Sequence, residues 1–89
     1  MADLLQNLGG RIRTFRTAAN LSRVKLAEKA KISTYYVGEI ERGEGSPSLS
    51  VCQDLAKALG ISLKDLFDFP NEGVDEVLDE IVAMLKREE

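Results

Sequence analysis

Two short helices joined by a tight turn are predicted from residues 21–43, LSRVKLAEKAKISTYYVGEIERG. Ser22 and Ser33 each stand just before a run with helical spacing, where a serine side chain accepts a hydrogen bond from a free backbone amide of the first turn. The first run continues to Ala30 and the second to about Arg42. In the second helix the apolar residues share one side, and the opposite side carries Thr34, Tyr35, Gly38, Glu39 and Arg42.

Three further helices flank this pair. Apolar residues recur at steps of three and four in a first helix, over about residues 4–19, and in a fourth helix that follows Ser48 and stops at Gly60. A short fifth helix begins at Ser62, which forms a capping-box pair with Asp65. No stretch alternates as a strand would, so the sequence predicts an all-α protein with a helix-turn-helix inside a five-helix unit.

Two parts are expected along the chain, a helix-turn-helix domain at 1–69 and a linker with an amphipathic helix at 70–89. That sixth helix, from about Val74 to Arg87, carries an apolar stripe that must be buried. Three arrangements would bury it: docking on the same chain, pairing with a second copy, or binding a partner protein. Pairing in a homodimer is favoured, and the interface then consists of Val74, Val77, Leu78, Ile81, Val82 and Leu85.

Charge is divided unevenly between the two halves of the chain. Residues 1–43 hold eight basic and four acidic side chains, a net charge of +4, whereas residues 44–89 hold four basic and eleven acidic, a net charge of −7. Binding to a polyanionic partner requires a local basic surface and does not require a positive net charge of the whole chain. The net charge of −3 is therefore compatible with binding to a nucleic acid.

Several classes of function are disfavoured by what the sequence lacks. It has no histidine and a single cysteine, Cys52, so it offers neither a zinc site nor an intrachain disulfide. It contains no phosphate loop or nucleophile motif, and we expect no enzyme activity, catalytic residue, metal or cofactor. No apolar run approaches the ~20 residues that cross a bilayer, and the first residues lack the layout of a secretion signal. We expect a cytoplasmic, nucleoid-associated protein without a membrane partner.

A known family matches these motifs in order. Residues 21–30 and 32–43, with their Ile-Glu-Arg-Gly ending, resemble the helix-turn-helix of the lambda Cro and phage-repressor-like (XRE-type) transcription regulators. The resemblance covers residues 8–69, and its later part rests on 47–49, 55–62 and 66–67. It implies a lambda-repressor-like five-helix domain, a double-stranded DNA partner and the regulation of transcription.

The resemblance also implies which side chains meet DNA. Base-reading positions fall on Thr34, Tyr35 and Glu39, since the recognition helix enters the major groove with its N-terminal residues nearest the bases. The positions implied for DNA phosphates are Arg23, Tyr36, Arg42, Gly43 and Ser46. A solvated helix surface is the alternative interpretation of the same side chains.

Three positions of the family's motif concern structure rather than DNA contact. Arg16 and Glu41 fall where family members form an ion pair, so this pair is expected to hold the recognition helix at its angle. Lys31 stands where the family usually has glycine, so a non-glycine residue must accept the tight geometry of the turn.

The leading hypothesis is a sequence-specific DNA-binding regulator that acts as a homodimer on a palindromic operator, with repression favoured over activation. A two-fold dimer reads two half-sites ~34 Å apart, whereas one domain of this size reads too few bases to be selective. A restriction–modification controller is an open subtype. The alternative is an antitoxin or adaptor-type interaction module whose last helix binds a protein partner.

Overall fold

Five helices make up most of the part of the chain that can be described. The computed structural model describes residues 2–69, 81–83 and 85. Within these ranges there is no strand, which confirms the all-α prediction. The helices are α1 (Ala2–Ala18), α2 (Arg23–Ala30), α3 (Thr34–Glu41), α4 (Leu49–Leu59) and α5 (Leu63–Leu66).

Four of the helices begin at a serine, as the sequence predicts. Each serine has an extended backbone, and its hydroxyl accepts a hydrogen bond from the backbone amide three residues later, at 3.0–3.1 Å. Such a bond satisfies one of the free amides of the first turn and stabilises the helix by about 1 kcal/mol. The capping serines of α2 to α5 are Ser22, Ser33, Ser48 and Ser62.

Four of the helices are also followed, one or two positions after their last residue, by a residue with a left-handed backbone. At these helix ends the amide of that residue and the amide after it both bond back to carbonyls of the last turn, which leaves fewer carbonyls unsatisfied. Glycine adopts this conformation without cost, and asparagine tolerates it. The residues are Asn20, Lys31, Gly43 and Gly60, with φ angles of 58°, 61°, 73° and 72°. The left-handed Lys31 confirms the expectation that a non-glycine residue accepts this turn.

The core lies where all five helices meet. Helix α2 packs against α3 and α4, and α1 packs against α3, α4 and α5. This arrangement buries one side of each helix and leaves α3 with a free side toward solvent. The most deeply buried side chains are Ile12, Leu26, Val37, Ile40, Cys52, Leu55 and Leu66.

Two adjacent glycines of α1 differ in what surrounds them. A Cβ atom on Gly9 would lie 2.3 Å from the carbonyl oxygen of Ile40 and 2.7 Å from that of Glu41, so α1 touches the backbone at the end of α3. A Cβ atom on Gly10 would meet nothing within 4 Å. Gly9 is therefore required for a close approach between the helices, and Gly10 is not.

The described residues near the C-terminus pack on the five-helix unit of the same chain. Val82 is buried with the core, and Ile81 is half-buried against it. Leu85, also half-buried, lines a groove with residues of α4 and α5. The predicted interface residues Val74, Val77 and Leu78 lie outside the described residues, as does most of the predicted sixth helix.

Candidate nucleic-acid interface

The exposed side of α3 begins at its first turn. Thr34 and Tyr35 follow the capping Ser33 directly, and both are exposed, with 72% of Tyr35 accessible to solvent. An exposed tyrosine offers a DNA or protein partner both an apolar ring and a polar hydroxyl. Glu39 lies one turn further along the helix and is half-buried beside the backbone of Gly45. The structure thus places the three base-reading candidates on one helix, two of them exposed and one half-buried.

Gly38 departs from the prediction that it faces solvent. It is buried, because the guanidinium of Arg42 lies back over it: a Cβ atom on Gly38 would be 3.0 Å from Arg42 Nη1. Long side chains on a helix point toward its N-terminus, which brings residue 42 over the turn before it. Arg42 Nε also pairs with a Glu44 carboxylate oxygen at 3.1 Å, so its charge is partly offset.

Three of the remaining phosphate candidates lie in or beside the loop that follows α3. Tyr36 is half-buried, and its ring lies beside Gly45 in the loop that follows the helix. Gly43 is half-buried against Gln6 of α1, and its left-handed φ lets the chain turn there. Ser46 is exposed in the same loop. Gly43 and Ser46 therefore follow the C-terminal end of the recognition helix, and Tyr36, from its first turn, places its ring beside the same loop.

A cluster of three charged side chains joins α1, α2 and α3. Arg16 donates from Nε to Glu41 Oε2 at 2.6 Å and from Nη2 to Glu41 Oε1 at 3.2 Å, and its Nη1 donates to the carbonyl oxygen of Leu21 at 2.9 Å. Arg23 Nε donates to the same Oε1 at 3.0 Å. The structure therefore contains the expected pair of Arg16 and Glu41, and adds Arg23 to it.

Burial within this cluster falls off from the carboxylate outward. The side chain of Glu41 is 1% exposed, that of Arg16 14% and that of Arg23 42%. Burial by itself raises the pKa of Glu41, but hydrogen bonds from Arg16 and Arg23, together with their charges, bring that pKa below its ordinary value of 4.5. Glu41 is thus a buried, ionised carboxylate with two arginine partners.

The bond between Arg23 and Glu41 is the feature that sequence reasoning missed. The two residues lie 18 positions apart, and no periodicity connects a residue at the start of α2 with one at the end of α3. The only signal is that Arg23 stands where the resembling family often has glutamine.

Residues outside this surface serve the fold. Cys52 is buried in the core, and burial raises the pKa of its thiol to about 11. The guanidinium of Arg11 lies 4.7 Å from the centre of the Phe15 ring and donates to the carbonyl oxygen of Asp65 at 2.7 Å. Among the described residues, no helix is long and apolar enough to span a membrane.

Comparison with known proteins identifies the same segment. A helix-turn-helix family model matches residues 12–66. The chain is 38% identical over 66 residues to the control protein C.BamHI of Bacillus amyloliquefaciens, a match that covers 73% of this chain and 82% of the relative. It is 45% identical over 56 residues to the immunity repressor protein of Bacillus phage phi105, covering 63% of this chain but only 39% of the repressor.

A solved structure also resembles the fold of this chain. The restriction-modification controller protein C.AhdI from Aeromonas hydrophila superposes with a TM-score of 0.72 at 42% identity, over 75% of this chain and the whole of that protein. The family match spans α2 and α3 and the helices around them, which hold the exposed recognition surface described above. The chain belongs to the Cro and phage-repressor type of helix-turn-helix family, whose members are DNA-binding transcription regulators and not enzymes.

Proposed function

We propose that this protein binds operator DNA sequence-specifically and represses transcription by occupying the operator. The observation that carries the proposal is the open first turn of α3, where Thr34 and Tyr35 project from a helix whose other side is buried in the core. A helix held in this way fits the major groove with its first turn nearest the base edges. The names of two relatives, an immunity repressor and a control protein, support regulation at the level of DNA.

In this arrangement the side chains have distinct roles. Thr34 contacts a base edge or a thymine methyl, Tyr35 offers its ring and hydroxyl, and Glu39 accepts from a cytosine amino group. Contacts to phosphates position the helix without reading sequence. The residues proposed for that role are Arg23, Tyr36, Arg42, Gly43 and Ser46.

We infer further that the protein acts as a homodimer on a palindromic site. One recognition helix reads only a few base pairs, and a two-fold dimer doubles that number across half-sites ~34 Å apart. Ile81 and Leu85 are only half-buried in the single chain, so each retains apolar surface for a second copy. Val82 contributes less, because it is already buried. Val74, Val77 and Leu78 complete the proposed interface.

The proposal is tested by fluorescence anisotropy with labelled duplexes. The wild-type protein is titrated into its own upstream region, into a duplex obtained by selection from random sequence, and into a scrambled duplex, each at two salt concentrations. We expect tight binding to the selected duplex that weakens steeply with salt. Equal, weak binding to every duplex would overturn the proposed function.

Two sets of variants locate the binding surface. Thr34→Ala/Tyr35→Ala/Glu39→Ala should abolish specific binding while the protein keeps its circular dichroism spectrum. The matched control, Thr14→Ala/Thr17→Ala, changes exposed residues on α1 and should leave the affinity unchanged. Sedimentation of Ile81→Asp/Leu85→Asp beside the wild type tests the dimer, since the variant should be a monomer.

A further inference from the structure

The buried carboxylate of Glu41 holds two arginines, and only one of them is needed to neutralise it. Arg16 already gives Glu41 two hydrogen bonds, to Oε2 at 2.6 Å and to Oε1 at 3.2 Å, and is itself 14% exposed. Arg23 adds a third bond from Nε and remains 42% exposed. With two positive charges around one negative charge, the cluster keeps a net charge of +1.

The geometry of Arg23 leaves its outer edge available. Among the described residues, Nε is the one guanidinium nitrogen of Arg23 that is hydrogen-bonded within the chain. A guanidinium is planar and rigid, so anchoring Nε also sets the direction of the two terminal nitrogens. Those two nitrogens form the fork that matches two oxygens of one phosphate.

We propose that Glu41 is a positioning residue for DNA binding, which holds the Arg23 guanidinium so that its two terminal nitrogens meet one DNA phosphate. The inference rests on the proposed function and adds a division of roles to it: Arg16 completes the buried pair, Arg23 makes the contact, and Glu41 aligns it. Because Arg23 begins α2 and Glu41 ends α3, this contact also ties the phosphate to the position of the recognition helix. Ordering the side chain before binding removes part of the entropy that binding would otherwise lose.

The variant Arg23→Lys tests whether binding needs the oriented guanidinium of Arg23 or only its positive charge. Lysine keeps the charge, but its single ammonium group cannot donate to Glu41 and present a planar fork to a phosphate at once. We expect Arg23→Lys to bind the selected duplex about tenfold more weakly than the wild type, close to the loss in Arg23→Gln. In Arg23→Gln the slope of log affinity against log salt should fall by about 0.9, the value for one phosphate contact, whereas Arg23→Lys keeps the charge and should keep the wild-type slope.

The control is Lys25→Gln, two positions further along α2. Lys25 is exposed, and its ammonium lies 3.5 Å from a Glu28 carboxylate oxygen. This change removes one positive charge from the same helix and should alter the affinity by no more than about twofold. Thermal unfolding of each variant shows whether it is folded, and the Arg23 variants should remain so because Arg16 keeps Glu41 paired.

A double-mutant cycle between Arg23→Gln and Glu41→Gln tests the alignment itself. If Glu41 positions Arg23, the loss of DNA affinity from Arg23→Gln is at least about threefold smaller when Glu41 is already replaced. Additive losses overturn the proposal, and so does an Arg23→Lys variant with wild-type affinity. If Glu41→Gln does not fold, the DNA affinity of Arg23→Lys tests the proposal in its place. If the wild-type protein binds no duplex specifically, the proposed function is refuted. If the wild-type protein binds specifically and the variants have the same affinity, only this inference is refuted.

Discussion

Replacing each of two adjacent glycines in α1 by alanine should change the stability of the protein in opposite directions. Alanine is favoured over glycine within a helix by about 1 kcal/mol, so Gly10→Ala, whose new methyl group meets nothing within 4 Å, should stabilise the protein by about that amount. Gly9→Ala gains the same helix propensity but places its methyl group 2.3 Å from the carbonyl oxygen of Ile40. Backbone cannot swing aside as a side chain can, so α1 and α3 must separate.

The expected size of the difference follows from these distances. Overpacking in a closely packed region typically costs about 1–3 kcal/mol, and a contact this short with two backbone carbonyls belongs at the upper end. After the gain in propensity, Gly9→Ala should lose about 2 kcal/mol, which leaves the two variants about 3 kcal/mol apart. For a domain of this size, about 1 kcal/mol shifts Tm by roughly 4–8 °C.

Urea and thermal unfolding, followed by far-UV circular dichroism, measure both variants against the wild type. Gly10→Ala should raise Tm by several degrees, and Gly9→Ala should lower it by more. An equal increase of Tm in the two variants would refute the close approach of α1 to the end of α3. Gly9→Ala should also weaken DNA binding, because the displaced end of α3 carries Glu41.

Three further predictions concern the turn, the core thiol and the buried carboxylate. Lys31→Gly should raise the free energy of unfolding by about 0.5–1 kcal/mol, because glycine adopts the left-handed backbone at φ 61° without steric cost, and a lower Tm in thermal unfolding would contradict this. Cys52, 2% exposed and with its pKa raised to about 11, should react with iodoacetamide at pH 8 only after unfolding in urea, so rapid labelling of the native protein would show that α4 is not packed as described. Because the pKa of Glu41 is lowered, the stability that its ionised form contributes is present above pH 4.5 and is lost as pH falls through the lower folded value. Unfolding titrations should therefore find Glu41→Gln less stable than the wild type by about 3 kcal/mol at pH 7, with a gap that narrows below pH 4.5, and a gap independent of pH would exclude this role.

The features that sequence predicts well are the ones fixed by neighbouring residues. A serine cap joins a hydroxyl to an amide three residues later, and a glycine stop needs only the local backbone. Both kinds of signal lie within one turn of the chain, so Ser33 and Gly60 mark their helices correctly without knowledge of the fold. The apolar spacing likewise identifies Leu55 as a core residue, because one helix face must be buried.

Features that depend on contacts made by other helices or by long side chains could not be predicted from the sequence pattern. Gly9 and Gly10 are identical residues in one helix, and only the neighbouring α3 makes one of them necessary. Gly38 has the spacing of an exposed residue, yet the Arg42 side chain covers it from four positions away. A pattern of apolar and polar residues says which side of a helix is buried but not where a long, flexible side chain will lie.

The presentation of the recognition surface depends on α2 as much as on α3. At one end of α2, Lys31 holds a left-handed turn that sets the path into α3, and at the other end Arg23 bonds to Glu41, the last residue of α3. The turn at Lys31 and the bond from Arg23 to Glu41 attach the two ends of α2 to the two ends of α3. Two such attachments restrict rotation of α3 more than one attachment does. A change at either end of α2 should therefore alter how Thr34 and Tyr35 meet DNA, although neither end carries a residue that reads a base. This dependence predicts that DNA affinity and the stability of the α2–α3 pair decline together in Glu41→Gln, whereas Thr34→Ala lowers the affinity alone.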